Sequence, residues 1–203
     1  MKSNFDFLDN EFPVLAQFGK RAELYLYSDS NSCLMKLGMI GETVVNLMFT
    51  YDRITLPAEN TAVNRIAVLF REGLLTQDLV DILHALRKVR NKAVHENYAS
   101  VVDGKVLLQM AHSLCEWFMQ TYGDWNYKNK PFVLPANLPV EVSTDTGAEQ
   151  EHEKQLSKEA EEKAAASDSV AKEKRRQQAA KAASQRQKTE AETRYMIDQQ
   201  LRQ

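Results

Sequence analysis

The residues best suited to chemistry lie near the end of the fourth predicted helix. Arg90 and Asn91 come first, and His95 follows with four residues between it and Arg90. An arginine can hold a phosphate through two hydrogen bonds, and an asparagine can donate to a phosphate oxygen. A histidine can transfer a proton near neutral pH. Together these groups suit attack by an RNA 2′-hydroxyl on its neighbouring phosphate, with no metal required.

The same spacing also permits a purely structural interpretation. Five steps along a regular α-helix rotate a side chain by about 500°, or 140° beyond a full turn, so Arg90 and His95 share a face only if the helix loosens. In this alternative Arg90 pairs with Glu96 or Asp81. His95 would then favour the negative end of the helix dipole.

Glu42 is the predicted structural partner of this motif. It lies in the second predicted helix beside Gly38 and Gly41, on the side expected to face the core. A buried carboxylate needs a cationic partner, and Arg90 or Arg87 is the obvious one. This pairing would orient the arginine as much as contribute to chemistry.

The elements that must position these residues are helices. Apolar residues recur at helical spacing throughout the first 130 residues, and none of this region alternates as a buried strand should. Asp9 and Asn10 are predicted to cap the first helix, and Thr76 the fourth. We therefore predict an all-α fold, an antiparallel bundle of four to five helices. The second to fifth helices are predicted over about 33–51, about 61–71, from 76 onward, and from 103 or 104 to 122.

The remaining chain divides by composition. Residues 131–148 contain three prolines and predict an extended linker. Residues 149–191 are charged and alanine-rich, which predicts a solvated helical or disordered spacer, and residues 192–203 turn amphipathic again. A basic half of the spacer is a candidate contact for nucleic-acid phosphates. Its candidate residues are Lys172, Lys174, Arg175 and Arg176.

Composition excludes several classes of protein. The formal net charge is −2, so a globally basic nucleic-acid binder is excluded. Two cysteines without clustered histidines argue against a disulfide framework or a zinc site, and we expect no metal. No signal peptide is evident, and no apolar run approaches the roughly 18 residues of a membrane span. We therefore expect a cytoplasmic protein without membrane contact, whose His84 and His112 are packed, hydrogen-bonded histidines.

Arg90-Asn91-Lys92-Ala93-Val94-His95 resembles the Arg-Asn-x-x-x-His signature of the HEPN superfamily. Those domains are α-helical bundles, and many are metal-independent ribonucleases whose motif residues meet across a dimer interface. The resemblance implies that Arg90 stabilises a phosphate, that His95 acts as acid or base, and that Asn91 is the polar position after the arginine. It covers one helix of about five.

The order of features also resembles the N-terminal extension of type I restriction enzyme R subunits. There a HEPN-like bundle and a charged helical spacer precede a nuclease–helicase region, and residues 192–201 resemble the opening of that region. The resemblance implies modification and specificity subunits as partners, with ATP and Mg²⁺ in the parent polypeptide. The chain itself contains neither a phosphate-loop motif nor an Asp…Glu-x-Lys cluster downstream of the spacer, so we expect no cofactor in this fragment.

Three functions remain open at this point. The first is an accessory and interaction domain of a restriction R subunit, in a chain cut where the nuclease region would begin. The second is a HEPN-type ribonuclease acting as a homodimer through Arg90 and His95. The third is a plain bundle that binds a protein partner.

Overall fold

The computed structural model describes residues 2–137, 147–167, 171–186 and 189–201. Residues 138–146 of the predicted linker, and residues 202 and 203, lie outside the described residues. The described residues form eight α-helices and one short 3₁₀ turn at Asp6–Leu8, with no strand among them. The helices are α1 (Pro13–Ser28), α2 (Ser30–Tyr51), α3 (Ala62–Arg71), α4 (Gln77–Glu96), α5 (Val101–Tyr122), α6 (Gly147–Ala166), α7 (Lys172–Ser184) and α8 (Glu190–Leu201).

Short polar side chains fix where several helices begin. The Asp29 carboxylate accepts a hydrogen bond from Ser32 N at 3.1 Å and begins α2. Thr61 Oγ1 accepts from Asn64 N at 3.2 Å and begins α3. Ser100 caps α5 in the same way. These oxygens satisfy backbone donors that the first helical turn leaves unbonded.

Two predicted capping side chains make no capping bond in the structure, although Thr76 is the residue that precedes α4, as predicted. Phe12 precedes α1, with Pro13 in the first turn, and Asp9 pairs instead with Lys20 at 2.6 Å. Thr76 lies at the predicted start of α4, but its buried hydroxyl makes no capping bond among the described residues. At the other end, Asn97 ends α4 in the left-handed conformation, with φ of 49°. Asparagine tolerates this conformation better than most residues.

Helix α2 is central to the core. It packs against α1, α3, α4, α5 and α6. By length and composition α2 is also apolar enough to cross a membrane, contrary to the expectation that no segment approaches this criterion. However, 67% of its most apolar window is buried inside the protein. Its apolar residues therefore form the bundle core, which includes Leu34, Leu37, Ile40, Val44 and Met48.

The described part of the predicted linker, residues 131–137, is called the strap. It is held against the bundle by specific bonds. The Asn4 side chain donates to Val133 O at 2.8 Å and accepts from Val133 N at 2.9 Å. Tyr27 Oη donates to Pro135 O at 2.9 Å. Phe132 packs its ring 5.5 Å from that of His112, whereas Leu134 is exposed. Residues 131–137 form neither helix nor strand, and the extended path that the prolines predict stays a prediction.

The charged C-terminal region packs on the bundle, so the prediction of a solvated spacer was wrong for its described residues. Helix α6 contacts α1 and α2, and both α7 and α8 contact α5. Ala160 and Ala164 are buried on α6, and Ala179 and Ala182 are buried on α7. Alanines three or four positions apart lie on one helix face and allow close packing. Because these faces are made by small alanine side chains, the pattern of large apolar residues did not predict them.

Candidate functional site

The Arg90 side chain crosses the surface of α2 directly above Gly38. A methyl group added at Gly38 would lie 2.2 Å from Arg90 Cβ, which is far inside van der Waals contact. The arginine stem therefore requires glycine at this position. The Arg90 guanidinium then reaches Glu42, with Nη1 3.1 Å from Glu42 Oε2. This is the pair expected from the sequence.

The expected burial of Glu42 was wrong. The side chains of Arg90 and Glu42 are 38% and 47% exposed, so the pair lies at the surface. Gly38 and Gly41 bring α2 close to α4, and this close approach leaves the longer Glu42 side chain at the rim. A half-exposed ion pair contributes little to stability, since water already solvates both charges well. The arrangement orients Arg90 and leaves part of its guanidinium accessible.

Arg90 lines a cavity of about 270 Å³ between α2, α3 and α4. Arg65 and Arg87 line the same cavity, together with Asn91 and Glu42. The Arg65 guanidinium donates from Nη1 to the Asn46 side-chain oxygen. Arg65 was not predicted as a site residue, because nothing in the α3 sequence distinguishes it from the exposed Arg71 about two turns later. Contact between α3 and α4 places it here.

His95 does not line this cavity. Helix α4 continues without interruption to Glu96, so the loosening that would bring Arg90 and His95 onto one face is absent. The two side chains are thus about 140° apart around the helix. Both Asn91 and His95 are exposed. A single protomer therefore brings Arg90 and Asn91 to the cavity but leaves His95 outside it, and a catalytic role for all three stays a prediction.

The candidate phosphate contacts of the C-terminal region have different surroundings. Arg175 is buried and bonds from Nε to Asp52 Oδ1 at 2.7 Å. Lys172 and Arg176 both pair with Glu72, at 3.1 and 2.9 Å. Of the four candidates only Lys174 is exposed. Nucleic-acid contact by this set stays a prediction, and Arg175 has a structural environment in this conformation.

A larger groove of about 1080 Å³ lies between α1 and the strap. Several of its charged groups already have partners. Lys20 pairs with Asp6 and Asp9, while the Glu23 carboxylate accepts from the Asn4 backbone at 3.1 Å and from the Ser3 hydroxyl. Lys2 and Lys130 also line the groove, without an ion pair among the described residues, so what distinguishes the smaller cavity is its cluster of three arginines.

His112 is buried at the base of the strap, and its packing was predicted from the sequence. The rings of Phe5 and Phe7 meet it edge-on, with centroids 5.7 and 5.6 Å away. Burial lowers the pKa of His112 to about 4, partly offset by a hydrogen bond with the Asn4 backbone. Glu116 lies 3.8 Å from the imidazole. Its own burial raises the pKa of that carboxyl, although Lys130 N and the Tyr127 hydroxyl donate to it.

Other titratable groups offer little for chemistry. His84 is half-buried, and burial with Arg87 and Lys88 nearby lowers its pKa. Both Cys33 and Cys115 are buried free thiols, and burial raises the pKa of Cys33 to about 12. Within the described ranges, no group of three or more histidine, cysteine or acidic side chains is placed to hold a metal ion. The α2–α3–α4 cavity is therefore the strongest candidate site.

Comparisons with known proteins place the chain in a family. Over 135 residues it is 27% identical to the type I restriction enzyme EcoKI endonuclease subunit of Escherichia coli (strain K12). This similarity covers 66% of the chain but only 11% of that relative's length. No solved structure matches the chain. Residues 20–166 match the domain of unknown function DUF4145, a match that runs from α1 through the strap to the end of α6. The chain therefore belongs to the DUF4145 family.

Proposed function

We propose that the chain is an accessory and interaction domain of a type I restriction enzyme R subunit. The observation that carries this proposal is the similarity of 66% of the chain to a stretch of the EcoKI endonuclease subunit. The match covers 11% of that relative, so the chain corresponds to a small part of a much longer polypeptide. ATP hydrolysis and DNA cleavage, with ATP and Mg²⁺, would belong to the rest of such a parent.

The surface of α3 supports an interaction role. Val63 and Phe70 are 42% and 44% exposed, and their separation of seven residues places them on one face of the helix. The buried side chains of α3, Ile66 and Leu69, pack on the bundle, and Val63 and Phe70 border this packed face. Exposed apolar side chains in a row favour contact with another protein. The proposed partners are modification and specificity subunits, in the cytoplasm.

The test is complex formation by the full chain. Purified chain would be mixed with modification and specificity subunits from the same restriction locus and analysed by size-exclusion chromatography with light scattering. We expect co-elution, and we expect Phe70→Glu to weaken it. The matched control is Val102→Glu, which replaces another exposed valine at the start of α5 and should leave the complex intact. A folded chain that elutes alone at micromolar concentrations would contradict the proposal.

A HEPN-type ribonuclease is the second candidate. It is favoured by the accessible Arg90 guanidinium, held in place by Glu42, and by the exposed His95 near the end of the same helix. Because one protomer does not bring these groups together, the reaction would need a dimer in which Arg90 of one copy meets His95 of the other. Arg90 would stabilise the phosphate, His95 would transfer the proton, and Asn91 would orient a hydroxyl or phosphate oxygen.

This second candidate has a sharp complementation test. Labelled RNA would be incubated in EDTA with wild type, Arg90→Ala, His95→Ala and the control Arg71→Ala. A dimeric site predicts cleavage by wild type and control, and none by either motif variant. Mixing the two inactive variants should restore activity, because each mixed dimer contains one site with an intact Arg90 and an intact His95. Cleavage that persists in both variants indicates a contaminant.

Failure of both experiments by a folded chain would favour the third candidate, a bundle that binds some other protein. In that case the exposed α3 face would remain the surface to test, through the same Phe70→Glu and Val102→Glu pair.

A further inference from the structure

We propose that the cavity between α2, α3 and α4 binds a phosphate monoester. This site does not depend on the restriction-subunit assignment or on His95, which lies outside the cavity. The lining of the cavity is positively charged. Three arginines line the cavity, Arg65, Arg87 and Arg90, against one carboxylate, that of Glu42. The lining therefore has a formal excess of two positive charges in a chain whose net charge is −2.

The positive charges are incompletely neutralised by the protein. Arg90 pairs with Glu42 at 3.1 Å. Across the described ranges of the chain, neither Arg65 nor Arg87 has a carboxylate within ion-pair distance. Arg65 donates to a neutral oxygen of Asn46. A cleft with walls of low dielectric screens such charges less than open solvent does, which concentrates anions there.

Hydrogen bonding points in the same direction. The Nε atoms of Arg65 and Arg87 are removed from solvent, and neither has an acceptor among the residues that the structure describes. Buried donors without acceptors are rare in folded proteins and frequently mark a site completed by another group. Both guanidiniums thus have donor capacity that the described residues do not use, a feature that they share with Arg176 and Arg186 outside the cavity.

The shape of the cavity limits what can enter. Gly38 and Gly41 allow α4 to approach α2, so that the Arg90 stem lies against the backbone of α2 and its head reaches the rim. The remaining lining includes apolar side chains such as Val45 and Ile66. A volume of about 270 Å³ accommodates a phosphate group with a small attached moiety, and excludes the body of a duplex.

A phosphate monoester fits these features better than a carboxylate does. Its charge near neutral pH approaches −2, which matches the excess on the lining. Its tetrahedral oxygens can accept bonds from several guanidiniums at once, whereas one carboxylate matches one arginine fork. The monoester is carried alike by a free mononucleotide and by the phosphorylated end of a nucleic-acid strand.

The test is calorimetric titration of the full chain at low salt. The probes are inorganic phosphate, adenosine monophosphate, adenosine, and a short single strand with or without a 5′-phosphate. We expect binding by the phosphate-bearing probes and none by adenosine. Tighter binding of the mononucleotide than of the phosphorylated strand would assign a free nucleotide, and the reverse order would assign a strand end. Binding of inorganic phosphate but of no phosphate ester would contradict the proposal that the ligand is a monoester.

Variants connect binding to the cavity. Arg87→Gln should weaken binding of adenosine monophosphate by about tenfold or more, because it removes charge-assisted hydrogen bonds. Arg71→Gln is the matched control: it removes an exposed arginine of α3 that does not line the cavity, and it should leave affinity unchanged. Glu42→Gln, at an exposed position that tolerates change, should tighten binding because it removes the only lining carboxylate.

The outcomes separate this inference from the proposed function. His95→Ala should abolish any RNA cleavage while keeping mononucleotide affinity, since His95 lies outside the cavity. Equal affinity of wild type and Arg87→Gln, or no binding of any phosphate probe by a folded chain, would overturn the inference. Neither result would bear on complex formation with restriction subunits.

Discussion

Arg175 and the cavity arginines both lie against α2, but they differ in burial and in hydrogen bonding. Arg175, from α7, is buried between the rings of Tyr51 and Tyr122, with its guanidinium carbon 5.9 and 5.7 Å from their centroids. It bonds to Asp52 and to Tyr51 O at 2.9 Å. Arg90, from α4, is half-exposed and faces a cavity that it shares with Arg87. An arginine that is buried and whose N–H groups are bonded to the protein has a structural role. An arginine that is partly exposed at a cavity remains available to a ligand.

The Arg175 site is a complete hydrogen-bond network. Tyr122 Oη donates to Asp52 Oδ2 at 2.7 Å, so the carboxylate is bonded on both oxygens. Burial and the Asp52 charge raise the pKa of Tyr122, which keeps the proton that it donates. Trp117 adds a bond from Nε1 to Ala179 O at 3.1 Å. These contacts fasten α7 to the bundle.

The largest expected effect is that of Arg175→Ala. It leaves the Asp52 carboxylate buried without its cation, and breaking a buried pair in this way costs about 3–5 kcal/mol. Denaturant unfolding measures this loss. The neighbouring exposed residue provides the control, since Lys174→Ala should change stability by less than about 0.5 kcal/mol. Similar effects of the two substitutions would contradict the contrast between the two arginine groups.

A second buried pair tests whether α6 is fastened in the same manner. Lys36 Nζ lies 2.8 Å from both Glu153 carboxylate oxygens, and both side chains are buried. Lys36→Met leaves Glu153 without its cation, and we expect a loss of about 3 kcal/mol. Hydrogen exchange should show faster opening of α6 than of α4. Unchanged protection of α6 would show that its alanine packing suffices.

The pH dependence of stability reports on the strap. The unfolded chain protonates His112 near its ordinary pKa of 6.5, whereas the folded protein keeps it neutral down to about pH 4. The unfolded state therefore binds more protons in this window, and stability falls as pH decreases through it, by about 3 kcal/mol from this group alone. The raised pKa of Glu116 opposes this trend. His112→Gln should show a distinctly smaller loss between pH 6.5 and 4, measured by denaturant unfolding at each pH.

The smallest expected effect on stability is that of substitutions at the Arg90–Glu42 pair beside the cavity. Arg90→Ala and Glu42→Gln each remove a half-exposed ion pair, and each should change the free energy of unfolding by less than about 1 kcal/mol. Thermal unfolding of the two variants checks this expectation. A loss from Arg90→Ala comparable to that from Arg175→Ala would make Arg90 a structural residue.

Helical periodicity predicted the bundle well. The ends of α3 and α4 follow from Thr61, Gly73 and Asn97, whose capping or backbone preferences are local properties of the sequence. Periodicity failed for the C-terminal region, because a buried alanine face such as that of Ala160 and Ala164 carries no large apolar signal. The antiparallel order of a HEPN-like bundle and the predicted domain boundaries stay predictions.

The site residues likewise include some that the sequence predicted and some that depend on tertiary packing. Arg90 was one of two partners, with Arg87, that the sequence predicted for Glu42, and the prediction assumed a buried carboxylate, whereas the pair lies at the surface. Gly38 and Gly41 correctly indicated close packing on α2. The contribution of Arg65 depends on how α3 packs, which no local pattern encodes. The burial of Arg175 likewise depends on a long-range contact with Asp52, 123 residues earlier in the chain. Chemical type identified the candidates, and tertiary packing separated their roles.

The most direct test of this contrast is the unfolding free energy with and without adenosine monophosphate. A ligand that binds only the folded state stabilises it by about 2.7 kcal/mol at a hundredfold excess over its Kd. We predict that gain for wild type and for Arg71→Gln, and at most about 1.4 kcal/mol for Arg87→Gln at the same concentration, because a tenfold weaker Kd leaves at most a tenfold excess of ligand. An equal gain in Arg87→Gln, or none in wild type, would contradict the assignment of the cavity arginines to ligand binding.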